Sequence, residues 1–394
     1  MKSKIQILSK GDIDIIIGNV LALAFVKTVL LQFLHLQFGD NSSLGVIVYG
    51  VLFVYLFGGI LKYQLLRVKG IVIWLALLAF FMINYGFTNQ VLKEYYFSID
   101  MILTYVFYIP IAVFLIPQIR DVNKVLSQIA LFRYVVLVIA VFMVFFSGYA
   151  SNEHETYMSF SYAVMPFVLL CFYEACYRGK SFDYFAYILG VIIMVFYGAR
   201  TPLVSSLVSA ALMYMIYIRQ HKKVSARIMI YLMILVIAFI IISSSNVILA
   251  WLGDFGESIG SYALSKLNQD AFLESAGRDS IYEGAIRLIK SKGGAPLGLF
   301  ADRYYLDVIY VHNIFLEFLI NFGVIVGGAL SIFLVYGIIR SFLVSKNESI
   351  KVFLVFSFFA IFVRFLVSGS YLIEGMSFVY FAIVMRFSRK TIRV

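Results

Sequence analysis

Long apolar runs, broken at short intervals by polar clusters, occupy almost the whole chain. Windows of about 19 residues divide these runs into twelve spans, at roughly 13–36, 44–64, 70–88, 99–117, 128–147, 158–177, 182–199, 202–219, 227–250, 314–340, 350–369 and 373–388. Each apolar core is long enough to cross a hydrocarbon layer of about 30 Å at 1.5 Å of rise per residue. The pattern predicts an all-α polytopic membrane protein, with residues 1–394 forming a single transmembrane domain. Neither an internal repeat nor a low-complexity linker interrupts it.

One stretch breaks the rhythm. Residues 251–311 are polar and far longer than the other connections, and loops of that length are usually functional. Within them Ser280 and Glu283 have the spacing of a capping box. Ile281, Ala285, Ile286 and Ile289 make one apolar stripe. Lys290 and Lys292 suit a last turn, and Gly293 with Gly294 suits a stop. An amphipathic helix over about 280–292 is therefore predicted inside this loop.

Composition agrees with the pattern. The chain of 394 residues is 62% hydrophobic and 13% charged, against about 25% charged in soluble domains. A net charge of +11 could suggest nucleic acid, but the cations are confined to short connections. Lys2, Lys4 and Lys10 precede the first span; Lys62, Arg67 and Lys69 follow the second; Arg219, Lys222, Lys223 and Arg227 follow the eighth. The alternate connections "FGDNSSL" (Phe38–Leu44) and "GYASNEHETY" (Gly148–Tyr157) carry no Lys or Arg. This asymmetry orients a membrane protein. It puts both termini in the cytoplasm and residues 251–311 outside. The N-terminus lacks a small-residue cleavage site and reads as a retained first helix, not a removed signal peptide. Cys171 and Cys176 match no metal spacing and read as packing residues.

A few cations escape the bias. Lys27 falls in the middle of the first span, where a charge costs about 2.5–3.5 kcal/mol on insertion scales, so it should face the bundle interior or a wet cavity. Arg200 lies in "YGARTPLVSS", a tight outer turn in which Thr201 suits an N-cap and Pro202 the first helical position. Arg278 precedes the predicted loop helix. A cation beside a helix N-terminus is unfavourable unless an anion joins it. Each arginine therefore either reaches lipid headgroups or a loop carboxylate, or holds an anionic ligand such as phosphate. His312 precedes the tenth span, with Asn313 as the expected cap. There it either bonds a loop carbonyl or serves as a general base toward a hydroxyl. Glu317 is about 140° round that helix from His312. Arg364 lies near Glu374, as an ion pair or a substrate contact. Arg303 is a further candidate for phosphate or sugar, and Tyr304 and Tyr305 either stack on sugars or anchor the interface. No metal-binding or nucleotide-binding motif occurs, so neither a metal nor another cofactor is expected.

The order "GARTPL", then "GRDSIYEGAIRLIKS…PLG" in a large outer loop, then "HNIFLEFLINFGVIVGG", resembles the superfamily of O-antigen polymerases and O-antigen ligases (Wzy/WaaL). The resemblance covers about Tyr197 to Leu330. It departs from the family pattern at "PLGLF", where Phe300 stands in place of a second glycine. The resemblance implies a GT-C-like glycosyltransferase of the bacterial inner membrane. Its substrates would be an undecaprenyl-diphosphate-linked glycan donor and acceptor at the outer leaflet. Arg200 and Arg278 would hold the diphosphate and His312 would assist the acceptor hydroxyl. Arg303, Arg364, Asn313 and Glu317 would contribute to substrate binding. Transfer is expected to be inverting and metal-independent. A polymerase of repeat units is the favoured member. A ligase acting on lipid A–core is the alternative, and a lipid-linked oligosaccharide flippase a more distant one. The family also leaves room for a chain-length regulator protein as a partner; nucleic acid is not expected.

Overall fold

The computed structural model describes residues 12–38, 42–63, 65–145, 157–197, 200–221, 245–258 and 278–389. Among these the secondary structure is helical, and no strand is present. Among the described residues nine helical segments are long and apolar enough to cross a membrane, and two shorter apolar helices accompany them. The elements are α1 (Asp12–Phe38), α2 (Ser42–Lys62), α3 (Val68–Phe87), α4 (Ile99–Gln118), α5 (Val122–Ala130) and α6 (Arg133–Phe145). They continue with α7 (Tyr157–Arg178), α8 (Phe182–Phe196), α9 (Arg200–His221), α10 (Ser245–Ser258) and α11 (Arg278–Ser291). The chain then forms α12 (Ala301–Leu306), α13 (Ile314–Val344), α14 (Glu348–Val367) and α15 (Met376–Phe387). The span expected over 227–250 lies outside the described residues, except for the start of α10.

The core is apolar on nearly all sides of α7, as a central helix requires. Val164, Met165, Phe167, Val168, Leu169 and Leu170 are all buried in consecutive turns. Both cysteines are free and buried, as expected of packing residues. Around α7 stand α1, α6, α8 and α9. The outer helices α2 and α3 expose Val46, Val54, Val72 and Met82. A helix with such an exposed apolar face fits a lipid environment.

Two breaks differ from the expected spans. The fifth span, read over 128–147, is a pair of helices, with α5 ending at Ala130 and α6 starting at Arg133. α5 is amphipathic and buries Val122, Val125, Leu126 and Ile129. The break is fixed by Arg133, whose guanidinium donates to the Ala130 carbonyl (2.7 Å) and, in bidentate fashion, to Asp183 (2.7 and 3.0 Å). The carbonyl left over by α5 thus finds its donor in the side chain that opens α6. In α4 the turns over Thr104–Tyr108 and Ile111–Leu115 are π-turns. They flank Pro110, whose ring clashes with the carbonyl four residues back in a regular α-helix.

α13 is bent sharply at Gly323, whose φ of 75° and ψ of 170° lie outside the helical region. Such a bend frees backbone groups that must find other partners. The segment between α11 and α12 supplies them. Leu297 and Gly298 donate N–H groups to the carbonyls of Ile320 and Asn321 (3.0 and 3.2 Å), and the Gly294 carbonyl accepts from Val324 N–H (2.9 Å). Residues 324–344 alone rise roughly 31 Å, enough to cross the hydrocarbon layer. The turns before Gly323 are therefore free to pack with α11 and α12.

That assembly has its own small core of Ala285, Ala301, Val311 and Ile320. α11 is longer than the predicted helix. It begins at Arg278, so the Ser280–Glu283 pair sits inside its first turns rather than at its cap. Its packed stripe is buried Ala285 flanked by half-buried Ile281, Leu288 and Ile289, while Ile286 is 44% exposed. Spacings of four, three and one residues place these side chains on one helical face.

Candidate functional site

Phe300 opens the peptide that leads to the site. Its φ is 65°, the left-handed conformation that glycine adopts freely and other residues rarely do. Phe300 thus takes a shape that a glycine would adopt freely. It is held there by burial and by the rings of Tyr95 (5.8 Å, stacked) and Tyr96 (5.0 Å, edge-on). The chain runs through α12, turns at Asp307 (φ 51°), and reaches His312, which also has a positive φ of 60°. Three non-glycine residues in this region within a short stretch indicate stored backbone strain, which clusters at functional sites.

His312 is fixed from several directions. Its ring centroid is 4.3 Å from that of Tyr310, and its backbone carbonyl accepts from the Tyr282 hydroxyl of α11 at 3.5 Å. Asn313 caps α13 as expected, its Oδ1 accepting from Phe315 and Leu316 N–H (3.0 and 3.2 Å). Its Nδ2 donates to the Leu366 carbonyl at 3.4 Å. Nδ1 of His312 is enclosed and has no hydrogen-bond partner among the described residues. Burial, then the positive charge of Arg278, pushes the imidazole down to about 4. The ring is therefore neutral at physiological pH and can accept a proton.

Next to this loop the bundle holds a polar cavity of about 430 Å³. Tyr310 lines it, and its hydroxyl donates to the Ser368 carbonyl at 3.0 Å. Arg364 lines it too. Its Nε pairs with Glu374 Oε1 at 3.0 Å, its Nη2 donates to Ser159 Oγ at 3.4 Å, and its guanidinium lies 5.1 Å from the Tyr162 ring centroid. The expected Arg364–Glu374 ion pair is thus formed, and its arginine also faces a cavity. Lys27 lines the same space, as a charge in mid-span must. Gly375 makes room for the wall opposite: a Cβ there would come within 2.3 Å of the Tyr108 ring.

Arg278 and Arg200 approach through the tyrosines. The charge of Arg278 acts on His312, Tyr310, Tyr282 and Tyr162. Tyr162 is hydrogen-bonded to Thr201 and accepts from Ser368 Oγ (3.3 Å). Thr201 follows Arg200, and both lie within α9, so Thr201 is not its N-cap. Arg278, Arg364 and His312 are therefore gathered around Tyr162 and Tyr310, with Arg200 next in sequence to the Thr201 that bonds Tyr162.

Arg303 and Glu317 are gathered elsewhere. The Glu317 carboxylate accepts from Ser370 Oγ and from Tyr371 N–H (3.3 Å), fully buried. Asp302 accepts from Val311 N–H at 3.2 Å, and burial pushes its carboxyl up. Arg303 packs its guanidinium on Phe300 (4.4 Å) and Tyr95 (5.0 Å). This buried polar group props the peptide before His312 and does not line the cavity. Tyr304 and Tyr305 are exposed, and the Lys292 ammonium lies 5.1 Å from the Tyr305 ring centroid.

Sequence reading overlooked Asp100, Tyr49, Tyr108, Tyr162 and Tyr310 as wall residues. The available signal was Lys27, since a mid-span cation calls for polar neighbours from other helices. Among the described residues no group of three His, Cys, Asp or Glu side chains could hold a metal ion. Comparison with protein-family models, curated proteins and solved structures found no match.

Proposed function

We propose that this protein is an O-antigen polymerase. It joins oligosaccharide repeat units carried on undecaprenyl diphosphate at the outer face of the bacterial inner membrane, by inverting glycosyl transfer. On this reading the chain makes twelve crossings of a GT-C-like kind, with both termini cytoplasmic and residues 251–311 outside. The observation that carries it is the placing of neutral His312 and the charge of Arg278 beside Tyr310 and Tyr162, two walls of a cavity that Arg364 also lines, among apolar helices.

The chemistry follows from these groups. A lipid diphosphate is an anion fixed at the membrane surface, and guanidinium groups bind it with charge-assisted hydrogen bonds. Arg278 and Arg200 stabilise the charge that grows on the leaving diphosphate as the glycosidic bond breaks. The neutral imidazole of His312 receives the proton of the attacking hydroxyl. The sequence resemblance supports the same assignment and assigns the same three residues.

A deletion strain examined by lipopolysaccharide gel tests the proposal. Core carrying a single repeat unit is the expected outcome. Bare core with accumulating lipid-linked polymer would identify a ligase instead. Lipid-linked single units retained on the cytoplasmic side would identify a flippase. In complementation, Arg278→Ala and His312→Ala should lower chain extension by about 100-fold or more at normal protein levels. An unaltered ladder in either variant removes that residue from the mechanism.

A further inference from the structure

Lys27 stands apart from the arginines and the histidine. Its ammonium lies against the rings of Tyr49 (5.1 Å) and Tyr108 (4.9 Å) and is hydrogen-bonded to the Tyr49 hydroxyl. That bond uses one of its three N–H donors. Asp100, in the first turn of α4, is exposed and lines the same cavity. Asp100 and Glu374 are the carboxylates whose charge reaches Lys27. Glu374 and Arg364 already form an ion pair at 3.0 Å, while Lys27 and Asp100 are held less tightly and keep hydrogen-bonding capacity for a ligand.

The walls therefore carry two cations, Lys27 and Arg364, and two carboxylates, Asp100 and Glu374. A free anion would meet both carboxylates, and a free cation both basic groups. A neutral ligand meets an alternation of groups that only donate and groups that only accept. A hydroxyl does both, so neighbouring hydroxyls can bridge such an alternation. The rings of Tyr49, Tyr108, Tyr162 and Tyr310 add flat apolar faces with polar tips, suited to the C–H face of a pyranose. A volume of about 430 Å³ falls within the roughly 300–1,000 Å³ of small-molecule sites.

We infer that this cavity binds a neutral sugar ring, with Lys27 and Asp100 reading its hydroxyls. Resting on the glycan-transfer reading, this makes the two residues determinants of which glycan is accepted. The test is saturation-transfer difference NMR on detergent-purified full-length protein. The probes are glucose, galactose, rhamnose, N-acetylglucosamine and their disaccharides. At least one should give a saturable signal, weakened about tenfold or more by Lys27→Gln and by Asp100→Asn. Asp100 is exposed, so Asp100→Asn remains informative if the loss of Lys27 disturbs the bundle, and the melting profile of each variant identifies such a disturbance. The inference is overturned by the absence of any saturable sugar signal or by a signal indifferent to both residues. The readout needs no turnover. Failure of the polymerase reading would instead appear as unaltered glycans in the deletion strain beside intact sugar binding.

Discussion

Val324 N–H donates to the carbonyl of Gly294 at 2.9 Å, so the segment after α11 is stitched into the bend of the long apolar helix α13. The bend depends on Gly323. A Cβ there would lie 2.8 Å from both the Gly294 carbonyl oxygen and the Pro296 nitrogen, and φ is +75°. Gly323→Ala therefore combines backbone strain of about 1–3 kcal/mol with a collision against main chain that cannot turn aside. We expect a lower melting temperature in detergent and loss of glycan extension together. A variant that melts like the wild type would show that the loop is not anchored by this bend.

Phe300→Gly sets two effects against each other. Glycine relieves left-handed strain of about 1–2 kcal/mol, but deleting a buried phenylalanine costs about 3–5 kcal/mol. The ring is 1% exposed and supports the Arg303 guanidinium at 4.4 Å. Burial wins, and the variant should be destabilised by about 2 kcal/mol although it removes the strain. Calorimetric or fluorescence melting gives the sign; a rise in stability would mean that strain outweighs packing.

The acid response of His312 has a definite direction. Its folded value is pushed down to about 4, while an unfolded imidazole titrates near 6.5. Between these values the unfolded chain binds the extra proton, so His312 draws stability away as pH falls from about 6.5 to 4 and contributes nothing above about 7. His312→Asn keeps a residue that accepts positive φ. It should flatten the melting-temperature curve over that window relative to the wild type. Parallel curves would place the imidazole in a more solvated setting.

The Arg133–Asp183 pair is buried, with side chains 7% and 0% exposed. Removing one partner strands the other charge, and Asp183→Asn or Arg133→Met should cost about 3–5 kcal/mol. Replacing both with apolar residues of similar volume should cost much less. A double variant as unstable as either single one would point to a role for the pair beyond mutual neutralisation.

Much of the fold was legible. Apolar run length predicted a multi-pass helical protein, and nine of the segments among the described residues are long enough to cover the hydrocarbon thickness, while those expected over 182–199 and 373–388 are shorter helices. Asn313 was legible as a cap, since its short amide reaches N–H groups within its own turn. The Arg364–Glu374 pair followed from two charges near the same membrane face. The break at Arg133 was not legible, because it depends on Asp183, fifty residues away in the chain.

The chain by itself determined that helices span a membrane, that a polar segment interrupts them, and that Arg200, Arg278 and His312 stand near helix starts. These are local properties of spacing and transfer free energy. Tertiary structure decided which of the polar residues meet. It drew Lys27, Asp100, Tyr162, Tyr310 and Arg364 to one cavity, and it set Arg303 and Glu317 with Asp302 in a separate buried group. It also bent α13 at Gly323 and gave Phe300 a glycine's conformation. The reason is that a buried polar group must find its partner wherever the packing of distant helices puts one, and sequence spacing does not record that distance.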